Sequence, residues 1–152
     1  MGNLDKKWDE LKDQIYYWDG SWRDLYILNT NKEDWIKWVK YVNQHYIVNW
    51  YNGKTGIEEN QINYDVIKEY FDREHDLCST AKIFIDKIQI NCHFFSESEI
   101  ENDIDPREIN SLKDHEHVLK YMTDLSTILN KEVILTPESE PEVILMNVNE
   151  QY

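Results

Sequence analysis

The sequence predicts an α+β protein: an antiparallel or mixed sheet of five to seven strands with helices packed mainly on one face. Three stretches carry that prediction. In the first, the apolar run Leu25-Tyr-Ile-Leu28 is too short for a helix and rich in strand formers, which marks a strand buried on both faces. Thr30-Asn-Lys-Glu33 then matches a capping box, and Trp35, Trp38, Val39 and Val42 follow at helical spacing. In the second, residues 81 to 95 alternate apolar and polar side chains, the signature of strands with one face in a core. In the third, Leu112, Leu119, Met122, Leu125 and Leu129 define the clearest helix, with Val118 and Ile128 widening its apolar stripe.

The chain opens with Leu4, Trp8, Leu11 and Ile15 at three- and four-residue spacing, which predicts an N-terminal helix over residues 1–19, ending near Asp19-Gly20. After the central helix, Tyr46 to Tyr51 reads as a strand. Asn52-Gly53 is a turn signal, and Gly56 lets a partner strand begin near Ile57. Asn60 or Asn63 caps a helix carrying Val66, Ile67, Tyr70 and Phe71. Residues 72 to 79 are a polar connection.

In the alternating stretch, Ile83 and Ile85 share one parity, whereas Ile88, Ile90, Cys92 and Phe94 share the other. Either Asp86-Lys87 is a hairpin turn or a bulge shifts the register. The hairpin is preferred because it sets Ile85 opposite Ile88 and Ile83 opposite Ile90. Residues 96–110, polar, acidic and broken by Pro106, read as an acidic surface loop. Asn130 suits the end of the long helix, and Val133–Leu135 and Val143–Met146 read as the last two strands. The expected core contains Leu25, Ile27, Trp35, Val39, Ile83, Ile85, Ile90, Leu119, Met122 and Leu125.

With 152 residues, the chain is read as a single domain. No apolar run approaches the ~18 residues that span a bilayer, and the charged start has no apolar stretch like that of a signal peptide. These features point to the cytoplasm. Cys78 and Cys92 make no disulfide framework and are expected as free buried thiols. The formal charge is −14, from 30 acidic and 16 basic side chains, and it repels nucleic acid and anionic membrane alike. From Glu97 onward there are 14 acidic and 4 basic residues, so the negative charge concentrates in the last third.

Catalytic and metal-binding constellations are not indicated. His115 and His117 lie two apart on a helix and point away from each other, so they do not share a metal. Asp103-Ile-Asp105 lacks the glycine and distal glutamate of a calcium loop. With 4 glycines there is no phosphate-cradling loop. What remains is the spaced acidic series Glu97, Glu99, Glu101, Asp103, Asp105 and Glu108, with Glu138, Glu140 and Glu142 as a second patch. Such a series is either a solvated segment or a docking face for a basic partner.

The order Gly20-Ser-Trp-Arg-Asp-Leu-Tyr-Ile-Leu-Asn-Thr30, the helix with Asp34-Trp35 and the ending Lys131-Glu-Val-Ile-Leu-Thr-Pro-Glu138 before a last strand resemble small immunity proteins of bacterial polymorphic or contact-dependent toxin systems. The resemblance implies a non-enzymatic, acidic protein without cofactor or metal. Such a protein binds and neutralises a cognate toxin, often a basic nuclease; the resemblance carries over no binding residue, and it is the charge pattern that makes the acidic residues above the expected face. A competing expectation is a small hydrolase or ligand-binding protein, recognisable by a deep cleft that joins Trp18, Trp22, Trp50 or Tyr51 to converging carboxylates.

Overall fold

The computed structural model describes residues 2–149, with side chains from residue 6 onward. In chain order the elements are α1 (Gly2–Gln14), β1 (Arg23–Leu28), α2 (Lys32–His45), β2 (Ile47–Asn52), β3 (Ile57–Glu59), α3 (Tyr64–Phe71), β4 (Thr80–Ile85), β5 (Ile88–Cys92), β6 (Glu99–Ile104), α4 (Leu112–Leu129), β7 (Val133–Pro137) and β8 (Met146–Val148). A 3-10 turn over Pro106–Glu108 joins β6 to α4. The strands form one eight-stranded sheet in the order β3-β2-β4-β5-β6-β1-β7-β8. Every pairing between them is antiparallel. No helix among the described residues is long and apolar enough to cross a membrane.

The sheet therefore has eight strands where five to seven were expected, and the additional one is β6. Residues 96–110 are not the acidic surface loop that their composition suggests. Glu99–Ile104 is an interior strand, paired with β5 on one side and β1 on the other. Aspartate and glutamate are poor strand formers, which favours the loop reading. Here they occupy only one parity, and Ile100, Asn102 and Ile104 on the other are all buried. Tertiary burial of that parity overrides the weak local preference.

The helices lie on the face to which these buried residues point. Directly opposed strand residues share a face, so the registers Ile27↔Ile100, Ile90↔Ile104, Ile83↔Ile90 and Val48↔Ile83 trace one apolar layer across the sheet. Onto it pack Trp35 and Trp38 of α2, both fully buried, with Val118, Tyr121, Met122 and Leu125 of α4. Trp38 donates its indole N–H to the Tyr121 hydroxyl at 3.0 Å, and Tyr121 donates in turn to Asn102 Oδ1 at 2.5 Å. That relay ties both helices to the sheet and gives the buried Asn102 carbonyl a partner. Phe71 of α3 reaches Trp35, and Tyr16, just beyond α1, bonds the buried His115 of α4 at 2.7 Å.

Several local expectations shift by a residue or more. The cap of α2 is Asn31 with Asp34, not Thr30 with Glu33. Thr30 instead donates its hydroxyl to Glu97 O, because the backbone of β1 is still paired to the residues before β6 at that point. Helix α1 ends at Gln14, well before Asp19, because Ile15 and Tyr16 turn into the core. Leu4 lies outside the described side chains. Ile128 faces solvent, Val143 and Ile144 are exposed ahead of β8, and Cys78 is exposed whereas Cys92 is buried. Leu119 is only half-buried against the core that holds the other expected residues. Asp86-Lys87 is the hairpin turn, with Ile85 opposite Ile88 and Asp86 at a φ of 54°.

The segment from Ile15 to Trp22 is organised by one side chain. Arg23 is fully buried at the start of β1. Its guanidinium donates to Ile15 O at 2.7 Å, Trp22 O at 3.0 Å, Ser21 O at 3.2 Å and Tyr17 O, and it stacks over the Tyr17 ring. A buried cation costs several kcal/mol unless such acceptors surround it.

Candidate functional site, an acidic cleft on the helix-free face

The other parity of the central strands faces away from the helices. On β6 it presents Glu99, Glu101 and Asp103, and on β1 it presents Asp24, Tyr26 and Leu28. The antiparallel register sets Asp24 directly across from Asp103, Tyr26 across from Glu101, and Leu28 across from Glu99. Like charges directly opposed on neighbouring strands repel. The loop after β7 adds Glu138, whose Oε1 accepts the Trp22 backbone N–H at 3.1 Å. Trp22, Asp24, Glu101, Asp103, Glu138 and Phe95 thus surround a cleft of about 310 Å³, with His93 and Ser139 at its margin.

Strain in the connection after β5 shapes one wall. Phe94 has a φ of 57°, a conformation disfavoured for an aromatic residue. It sends the Phe94 ring into the core against Trp35 and Trp38 and leaves Phe95 outward, 62% exposed and 5.3 Å from the His93 ring. Glu97 O then accepts from both the Trp35 indole at 3.0 Å and the Thr30 hydroxyl at 2.7 Å, which pins the connection to α2 and β1.

The electrostatics of the cleft are one-sided. Among the described residues, no lysine or arginine forms an ion pair with Asp24, Glu99, Glu101, Asp103 or Glu138. The His93 imidazole approaches Asp103, with Nε2 3.3 Å from Asp103 Oδ2. Burial raises the Asp24 carboxyl above its ordinary range, and Asp103 and Glu138 raise it further, against hydrogen bonds from Ser139 N and Tyr26. Burial also raises Asp103, opposed by Asn91 and His93. Glu101 is pushed up to about 7, first by burial and then by the charges of Asp24 and Glu99. Groups held this far from their ordinary state are concentrated at functional sites.

The acidic residues expected from sequence divide into three groups. Glu99, Glu101, Asp103 and Glu138 meet on this face. Glu97 lies beside it, lining a larger open depression of about 820 Å³ that shares Phe95 with the acidic cleft. That depression mixes Arg73, His75 and Asp76 with aromatic and hydroxyl groups, and no single chemistry converges there. The third group points elsewhere. Asp105 caps the 3-10 turn and holds Arg107 through both carboxylate oxygens, Glu108 accepts the Gln89 N–H at 3.1 Å, and Glu140 and Glu142 are exposed on the loop before β8.

Sequence reading missed Asp24, His93 and Phe95. Asp24 has a usable signal, since it alternates with Arg23 and Leu25 at the start of a strand. Of the four aromatic residues named for a pocket, Trp22 alone joins the carboxylates. Trp50 is fully buried, Tyr51 sits on distant β2, and Trp18 is covered by the Arg107 guanidinium at 3.9 Å. Among the described residues, no group of three or more histidine, cysteine, aspartate and glutamate side chains is arranged to hold a metal ion. Compared with known protein families, curated proteins and solved structures, this chain matches none of them.

Proposed function

We propose that this is a cytoplasmic, non-enzymatic immunity-type protein that neutralises a basic toxin by docking it on the helix-free face of the sheet. One observation carries the reading: five carboxylates, Asp24, Glu99, Glu101, Asp103 and Glu138, gather on that face, and among the described residues none of them forms an ion pair with a lysine or arginine. Three of them are held at raised pKa by burial and mutual repulsion, a cost that a merely solvating surface does not incur. Four of the five carboxylates stand on paired interior strands and so need little ordering on binding, which favours affinity. A basic partner relieves their repulsion, and long-range attraction speeds its approach.

The test measures association with the product of a neighbouring gene, should one encode a basic protein; absence of such a neighbour removes the premise. Glu99→Lys with Glu138→Lys reverses the two outward carboxylates least tied into the fold. The Glu99 carboxylate has no hydrogen bond among the described residues, and that of Glu138 has one. Association is expected to slow by about tenfold or more at low salt and to converge with wild type as salt rises. Equal rates at low salt place the docking face elsewhere.

A second reading, a small hydrolase or ligand-binding protein, is favoured by Trp22 meeting a carboxyl with a pKa of about 7, the range of a general acid. At about 310 Å³ the cleft is at the small end for ligand pockets, roughly 300–1,000 Å³. Hydrolysis of aryl glycosides or esters by wild type, abolished in Glu101→Gln, would establish it in place of docking alone.

A further inference from the structure

The acidic cleft has a more specific ligand than positive charge in general. Resting on the docking reading above, we propose that the cleft receives one arginine side chain of the partner, its guanidinium stacked on the aromatic lining and bonded to the carboxylates of Asp24 and its neighbours.

Asp24 is the first reason. It is 3% exposed, and both of its hydrogen bonds, from Ser139 N at 2.7 Å and the Tyr26 hydroxyl at 3.1 Å, fall on Oδ2. Oδ1 has no partner among the described residues, although the residue lines the cleft. A carboxylate so buried is ordinarily paired with a cation. Glu101 and Glu138 each have one further oxygen outside any hydrogen bond, so acceptors at several heights surround the space.

The second reason lies elsewhere in the same chain. Arg107 lies over the Trp18 ring at 3.9 Å while Asp105 takes its Nε at 3.1 Å and its Nη2 at 2.9 Å. An indole beside a carboxylate, completed by a guanidinium, is therefore an arrangement this protein already uses. Trp22 with Asp24 and Asp103 repeats the indole and the carboxylates. A planar guanidinium can stack and donate in a fork, which the compact, strongly hydrated ammonium of lysine cannot do.

The pH response follows from every group facing the space: Asp24 and Tyr26 of β1, Glu99, Glu101 and Asp103 of β6, Asn91 of β5, Lys82 of β4 in the same cross-strand row, His93 after β5 and Glu138 after β7. As pH falls, the raised carboxyls of Asp24, Glu101 and Asp103 take up protons and lose the negative charge that attracts a guanidinium, so binding weakens.

The probe is N-acetyl-arginine amide, whose only charge is the guanidinium, titrated into the 15N-labelled protein at constant ionic strength. Saturable shifts of the Trp22 indole and of the Asp24, His93 and Phe95 amides are expected. N-acetyl-lysine amide should bind about tenfold more weakly, the discrimination that stacking supplies. Trp22→Leu removes the stacking surface and should erase the difference between the two probes. Should that variant fail to fold, Glu138→Gln, on the exposed loop, should weaken the arginine probe by about threefold. Non-saturable shifts, or equal binding of arginine and lysine probes to wild type, overturn the proposal. The charge-reversal experiment above is independent of it. If Glu99→Lys with Glu138→Lys slows association while the arginine probe does not bind, the docking face stands and the arginine socket falls.

Discussion

Replacing Glu101 by Gln should stabilise the protein, and only at neutral and alkaline pH. In the fold the Glu101 carboxyl is raised from its ordinary 4.5 to about 7, so the folded state holds its proton more tightly than the unfolded chain does. Between those two values, stability falls as pH rises, because folding must take up a proton that becomes scarcer with rising pH. Above pH 7 the cost is fully present, and below 4.5 it is gone. At 1.36 kcal/mol for each tenfold in proton affinity, its upper bound is about 3 kcal/mol. Water in the open cleft screens the neighbours, which reduces the expected net effect to about 1 kcal/mol. Gln removes the charge and keeps an oxygen for the Tyr26 hydroxyl, which lies 3.4 Å from Glu101 Oε1. Thermal melts followed by circular dichroism at pH 8 should show the variant about 2–4 °C above wild type, as expected for a chain of this size. At pH 5 the gap should nearly close. Because other carboxyls, such as Asp105 and Asp72, are lowered and lose stability as pH falls, the comparison must be between variant and wild type at each pH. A gain of equal size at both pH values, or a loss at pH 8, would refute the account of Glu101 as a desolvated and repelled carboxylate.

Three further outcomes test the framework around the cleft. Trp38→Ala removes a fully buried indole and its bond to Tyr121, so urea melts should show a loss of about 3–5 kcal/mol, and a loss under ~1 kcal/mol would contradict the phase of α2. Gly53→Ala drives a Cβ into the Cys78 carbonyl, so the β2–β3 turn or the segment before β4 must shift, and stability should drop by about 1–3 kcal/mol. Arg23→Met leaves the carbonyls of Ile15, Tyr17 and Trp22 without their donor, which should cost about 3 kcal/mol and open residues 15–22 to limited proteolysis; an unchanged cleavage pattern would show that the segment is held by other contacts.

Periodicity made most of the architecture readable. The indoles of α2, the stripe of α4 and the parity change at Asp86-Lys87 are consequences of burial, and burial repeats at the period of the element. Asn52-Gly53 was legible as a turn, but for a different reason from the one the turn signal implies. Gly53 is needed because the backbone of Leu77 and Cys78 passes against it, a contact between segments that no local pattern encodes. Strand β6 was hidden because its outward parity is entirely acidic, so composition masked the alternation of Ile100, Asn102 and Ile104. The cleft was half legible. Glu99, Glu101 and Asp103 stand out along the chain, whereas Asp24 joins them only through the β1–β6 register. That register also alters what a charge reversal means. Asp103 accepts from Asn91 at 2.8 Å and contacts His93, so reversing it perturbs the sheet, as a residue in a solvated loop would not.

Strand β6 carries two messages in alternate letters. The inward residues specify the fold, and the outward ones set the charge of the open face. Substitutions confined to the outward set can therefore change that charge while the layer beneath stays intact, and under the docking proposal they would redraw recognition. Insertions have no such freedom. One extra residue before Glu99 would turn three carboxylates toward Trp38 and Tyr121 and three core positions toward water, erasing the fold and the acidic face together. Along this strand, variation by replacement is tolerated and variation in length is not.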